Sequence, residues 1–167
     1  MDEALLLRKE GITAPILVLG ASRPEDAAIA AEYNIALTVF RSEWLERVKQ
    51  GKDFFLVRSL YIFKFDTGMG RLGIQTEEEL ASCLGAIEDS PFFFFLEGAY
   101  THFATADSVD VSYFEGQYAR FFLQQLEWMK ERDVHPPLIH CANSAASLRF
   151  FRSVFSIQSA SGLLCTV

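Results

Sequence analysis

The segment KFDTGMGRLG, residues 64–73, puts a lysine, an aspartate, an arginine and three glycines into ten positions, directly after the apolar run LYIF. Glycines permit backbone geometry that other residues resist. A lysine and an arginine at the end of an apolar strand need a polar reason to be there. Two more polar, small-residue loops follow, YTHFATAD (100–107) and HCANSAASL (140–148). By themselves Gly68, Gly70 and Gly73 read as turn residues, and His102 reads as a core histidine or a site residue. His140 beside Cys141 has the composition of a base and a nucleophile. Neighbours on a strand point to opposite faces, however, which separates that pair. His135, ahead of two prolines, reads as a surface-loop residue.

The elements that must position these loops alternate. APILVLG (14–20) is a short apolar run closed by glycine, a strand signal, and IALTVF (35–40), SLYIFKF (59–65), FLEGAYTHF (95–103) and PPLIHCAN (136–143) are further strands. Between them, Ser22 or Arg23 precedes Pro24 at a helix start with acids in its first turn. SEWLERVKQG (42–51) predicts a helix capped by Ser42 and closed by Gly51. TEEELASCLGAIEDS (76–90) opens on a capping box from Thr76 to Glu79. Residues 111–132 form a long amphipathic helix, and SAASLRF begins a short one. Phe92 to Phe95 read as strand entry and core, an aggregation hazard if unpaired.

Alternating strands and helices predict an α/β fold with a parallel sheet. Lys64, His102, Asn143 and Ser144 fall at or just past the C-terminal ends of different strands. In a (β/α)8 TIM barrel those ends ring one site, which favours a barrel over an open doubly wound sheet. A whole barrel takes about 250 residues, so a chain of 167 residues accommodates a partial one, about five of eight strands.

Half of the residues are hydrophobic and 22% are charged, a globular composition with enough length for one core. A net charge of -7 argues against nucleic-acid and anionic-membrane partners. Three cysteines without paired spacing suggest a reducing compartment, and no apolar run reaches the ~20 residues that cross a bilayer. The N-terminus lacks a signal-peptide pattern, so a cytoplasmic location is expected.

Together DTGMGRLG, YTHFATAD and HCANSAAS resemble the alanine racemase family, and the likeness runs from DEALLLRKEGITAPILVLGASRP through HCANSAASLRF. The resemblance implies pyridoxal 5'-phosphate as cofactor, L- and D-alanine as substrates in D-alanine supply for peptidoglycan, and a homodimer. It implies roles for individual residues. Lys64 matches a lysine that is often carbamylated and whose carbamate orients Arg71. Arg71 matches the arginine near the cofactor's phenolic oxygen and the substrate carboxylate, which suits a planar guanidinium fork. His102 matches the histidine against the pyridine ring, and Leu19 an apolar residue near the cofactor. Asn143 and Ser144 match the turn after the strand, with Ser144 on the cofactor phosphate. Residues 144–150 read as a helix N-terminus, a natural phosphate site.

The family's Schiff-base lysine, in a phrase like VVKANAYGHG, and its catalytic tyrosine from a C-terminal β domain have no match here. No catalytic base is therefore assigned, and the chain alone is expected to be inactive. Residues 1–150 read as a partial barrel and 151–167 as a divergent tail. Allowed codons for QSASGLLCTV, residues 158–167, read from the third base, give VRFGLAMYG, close to the family's VRFGIAMYG. A frameshift is thus the expected origin of the tail. The alternatives are a non-catalytic remnant of a broken gene and a minimal pyridoxal-phosphate-binding barrel. An open arc of strands predicts two unpaired edges, an uncovered interior and poor solubility.

Overall fold

A computed structural model describes residues 1–51, 58–105, 107–141 and 165–166. In chain order it contains α1 (Asp2–Lys9), β1 (Ile16–Val18), a short 3₁₀ turn (Pro24–Asp26), α2 (Ala27–Glu32), β2 (Ile35–Val39) and α3 (Ser42–Lys49). These are followed by β3 (Ser59–Phe65), α4 (Glu77–Glu88), β4 (Phe94–Thr101), α5 (Ser112–Arg120), a π turn (Phe121–Gln125), α6 (Leu126–Lys130), β5 (Leu138–His140) and β6 (Cys165–Thr166). All the strand pairings are parallel, in the order β5-β4-β3-β2-β1-β6. The partial (β/α)8 barrel expected from the alternation is what forms.

Strand alternation sorts the side chains into two layers. Ile16, Val18, Ile35, Leu37, Val39, Tyr61, Phe63, Phe65 and Ala99 join Leu45, Leu80, Phe121 and Met129 in the main core, between sheet and helices. Leu17, Ala36, Ile62 and Tyr100 form a second, smaller cluster on the other face of the sheet, with Leu19 and Leu60 against it. That inner layer is 2% exposed or less. The β1 edge is occupied by Cys165–Thr166 through Ile16 and Leu17. The β1 edge of the arc is therefore paired, and these four inner-face residues are buried.

Local differences from the sequence reading have local causes. Thr76 caps α4 as expected, its hydroxyl accepting from the Glu79 N–H at 3.3 Å while Glu79 accepts from the Thr76 N–H at 3.4 Å. Ser42 does not cap α3. The extended backbone at the cap belongs to Arg41, and Ser42 is the first helical residue. The long helix over 111–132 starts at Ser112 and is interrupted by the π turn. Phe94 joins the core, but Phe92 is 81% exposed because it precedes the strand, and Phe95 is 45% exposed because it alternates onto the opposite face. His135 lies on the surface, beside Asp133 at 3.0 Å. The helix expected from SAASLRF, with Asn143 and Ser144, lies outside the described residues.

Candidate functional site at the strand ends

β3 carries Lys64 next to its last residue, and the chain then makes the loop Asp66–Gly73 before returning to the sheet. The return is fixed by the backbone. Ile74 N–H donates to Lys64 O at 2.8 Å, and Asp66 N–H donates to Ile74 O at 3.0 Å. Inside the loop Asp66 Oδ1 accepts from the Gly68 and Gly70 N–H groups at 2.9 and 3.1 Å, and Oδ2 accepts from Gln75 Nε2 at 3.0 Å. Burial pushes the Asp66 pKa up, but these hydrogen bonds outweigh it and hold the carboxyl below its ordinary range. Asp66 is thus committed to the loop, which sets Arg71 at its far end.

Parallel pairing brings the other residues to the same rim. Lys64 lies opposite Tyr100, and Tyr100 opposite His140. Lys64 Nζ stands 5.5 Å from the Tyr100 ring centroid, in cation–π range. The His140 ring stacks on Tyr100 at 4.9 Å and 2°. The Tyr100 hydroxyl shares a 2.9 Å hydrogen bond with Thr38 Oγ1 and reaches the carbonyl of Leu19 at 3.0 Å. His102 is partly buried two residues beyond Tyr100, on the same face of the strand path.

The electrostatics of this rim are one-sided. Lys64 is 4% exposed. Its burial lowers the amine pKa, the neighbouring Arg71 lowers it further, and Asp66 opposes both. His102 is likewise lowered by burial and then by the charges of Lys64 and Arg71. Burial takes the Tyr100 phenol up to about 12, against smaller opposing effects of the Thr38 hydrogen bond and Arg71. It takes His140 down to about 4, and the buried His140 Nε2 has no hydrogen-bond partner among the described residues. Among the described residues neither Lys64 nor Arg71 forms an ion pair.

Four residues singled out from the sequence, Leu19, Lys64, Arg71 and His102, therefore meet at the C-terminal ends of the strands. Asn143 and Ser144 lie outside the described residues. Sequence reasoning passed over Tyr100, which touches three of the neighbouring strands, and weighed His140 only as a partner of Cys141. The available signal was the two-residue spacing of Tyr100 and His102, which puts both on one face. Cys141 points to the opposite, helix-covered core while His140 faces Tyr100, so the two form no dyad. Burial raises the Cys141 thiol to about 12, leaving it an unreactive packing group.

The chain is thus a parallel barrel arc whose strand-end rim carries Lys64, Arg71, Tyr100 and His102. The chain belongs to the alanine racemase N-terminal domain family, whose model matches residues 1–159. It is 57% identical over 157 residues to the alanine racemase of Geobacillus kaustophilus, covering 94% of this chain and 39% of that protein. The crystal structure of the Bacillus anthracis alanine racemase with bound L-Ala-P superposes with a TM-score of 0.86 at 48% identity, over 99% of this chain and 40% of that one. The histidine racemase of Leuconostoc mesenteroides superposes with a TM-score of 0.80 at 27% identity, over 99% of this chain and 42% of that one. The chain thus spans about two fifths of the length of these relatives. Among the described residues no helix is long and apolar enough to cross a membrane.

Proposed function

We propose that this chain is the part of an alanine racemase barrel that binds the substrate carboxylate and one side of pyridoxal 5'-phosphate. The observation that carries the proposal is the pair Lys64 and Arg71, two cations at one strand-end rim with no acid paired to either among the described residues. A lowered lysine pKa leaves more neutral amine, the form that attacks carbon dioxide. The neutral amine adds to carbon dioxide and its nitrogen releases one proton to solvent, giving a carbamate anion that can accept from Arg71. Arg71 then keeps N–H donors for a substrate carboxylate, which a guanidinium reads through two parallel hydrogen bonds.

The residues present fit a planar, anionic, aromatic cofactor. The partly buried imidazole of His102 offers a flat wall beside the cations, and the buried Nε2 of His140 is an unused polar atom among the described residues. Pyridoxal phosphate supplies an electron sink for the α-carbon when bound. This chain's residues bind and orient: Arg71 at the carboxylate, His102 against the ring, Leu19 as an apolar wall, and Asn143 with Ser144 at the phosphate. Lowered pKa values at Lys64 and His102 limit the positive charge placed against the ring.

The bases that remove and return the α-proton are proposed to lie outside these 167 residues, in the portion of the family's length that this chain does not span. Dimerisation and D-alanine supply for peptidoglycan belong to that whole enzyme, at a cytoplasmic location. Residues 151–167 are proposed to be a divergent, frameshifted tail following the barrel portion 1–150. Resequencing the gene tests this, and codons that cannot yield VRFGLAMYG in the second frame would refute it. The Leuconostoc neighbour is a histidine racemase, so this portion of the barrel leaves the substrate side chain open.

The 167-residue polypeptide by itself is expected to give no racemisation above buffer. Built into the Geobacillus kaustophilus relative in place of the aligned segment, it is expected to support pyridoxal-phosphate-dependent racemisation of alanine. Arg71→Lys in that chimera should cost about tenfold or more in kcat/KM, because a point charge replaces a two-pronged donor. A chimera that folds and binds the cofactor yet leaves alanine unracemised would overturn the proposal. A second test uses labelled bicarbonate: a carbamate signal is expected on the chain and absent from Lys64→Ala.

A further inference from the structure

The loop that carries Arg71 is gripped from outside the sheet by the long helix. Three consecutive carbonyls are captured, each by a different side chain. Asp66 O accepts from Gln125 Nε2 at 3.0 Å, Thr67 O from Arg120 Nη1 at 2.9 Å, and Gly68 O from the Tyr113 hydroxyl at 2.6 Å. Gln117 adds a fourth tie, donating from Nε2 to Thr67 Oγ1 at 3.1 Å while its Oε1 accepts from the Ala104 N–H at 2.9 Å. Thr67 Oγ1 also pairs with Thr101 Oγ1 at 3.0 Å, at the end of β4. One helix therefore holds the exit of β3 and the segment just beyond β4 together.

The π turn makes this register possible. One α-helical turn beyond Arg120 is residue 124, whereas the wider π turn, bonded i to i+5, brings residue 125 there. Gln124 is accordingly exposed and Gln125 fully buried. The arrangement has a cost: Gln125 Oε1 is buried with no hydrogen-bond partner among the described residues. A helix selected for its own stability would keep α geometry and an apolar side chain at this depth.

We propose that Gln125, set by the π turn, is a positioning residue. It fixes the Asp66–Gly70 backbone and through it the direction of the Arg71 guanidinium. The proposal rests on the reading of Arg71 above for its catalytic consequence, while the positioning is read separately in the chain itself.

The test compares Gln125→Met, which keeps the volume and loses the donor, with Leu80→Ala, a core truncation in α4 outside the hydrogen bonds that tie the loop. In the 167-residue chain, amide exchange at Gly68 and Gly70 is expected to speed up about tenfold in Gln125→Met, as loss of one such hydrogen bond predicts. The Arg71 Nε–H should lose order in side-chain relaxation, while Ile62 and Phe63 exchange unchanged. Leu80→Ala should lower the melting temperature and leave Arg71 order and the two glycine amides as they were. Gln125→Met with unchanged Gly68, Gly70 and Arg71 signals overturns the proposal, as does equal loosening in both variants. In the chimera, Gln125→Met should raise KM for alanine more than it lowers kcat. A kcat loss at constant KM would also overturn the positioning role. A wild-type chimera without activity, alongside loosened Arg71 in the variant, would sink the racemase reading and leave the positioning standing.

Discussion

Gly73→Ala is expected to unfold the loop that carries Arg71, at a cost of at least about 3 kcal/mol. Gly73 has φ +144°, where an L side chain is strained, and a Cβ there would meet backbone: Phe65 C at 2.6 Å and the Asp66 N and Cα atoms. Backbone cannot rotate away as a side-chain tip can. The clash falls on the two hydrogen bonds that return the chain to β3, Ile74 to Lys64 and Asp66 to Ile74. Gly70 is the internal control. It too has positive φ, +70°, but a Cβ there meets nothing within 4 Å. Gly70→Ala should cost only the conformational strain, about 1–2 kcal/mol. Denaturant titrations of the two variants check the prediction. Equal losses would mean that the close approach at Gly73 is not what fixes the loop.

The second large effect is a loss of stability in acid that one residue carries. Burial lowers His140 from 6.5 to about 4. In the unfolded chain the imidazole takes a proton below about pH 6.5, whereas in the fold it stays neutral down to about pH 4. Across that window the unfolded state binds more protons, so stability falls as pH falls. The whole loss amounts to roughly 3 kcal/mol and is complete below about pH 4. His102, lowered by burial and by Lys64 and Arg71, adds to the slope with the same sign. His140→Phe keeps a flat ring against Tyr100 and removes the titration. Wild type should therefore lose roughly 3 kcal/mol of unfolding free energy relative to His140→Phe between neutral pH and pH ~4. A pH-independent difference would show that His140 is protonated or solvated in the fold.

Both effects bear on the strand-end rim, Gly73 behind β3 and His140 on β5. Gly73 lets the chain turn back onto β3 so that Arg71 stands above Lys64, and His140 closes the far side of Tyr100 as a neutral ring.

The amino-acid sequence by itself determined the alternation of elements, and so the parallel arc. Short apolar runs closed by glycine and helices with acidic first turns leave little choice of period. It also determined which loops are polar and small, and the phrases DTGMGRLG, YTHFATAD and HCANSAAS carry the family on their own. Lys64 and His102 were legible because they stand at strand ends, and Arg71 because it sits in the glycine-rich loop that carries the resemblance. Only the tertiary structure decided which residues touch. Tyr100 is an ordinary strand tyrosine until parallel register sets it between Lys64 and His140, since register depends on contacts far apart in sequence. Ser42 fails as a cap because the chain leaves β2 extended through Arg41, a geometry that no dipeptide preference sets. Gln125 is one of two neighbouring glutamines, and no local signal separates it from Gln124. The π turn exposes one and buries the other, where its amide meets the Asp66 carbonyl, a contact that arises only when β3, its loop and the long helix are packed together.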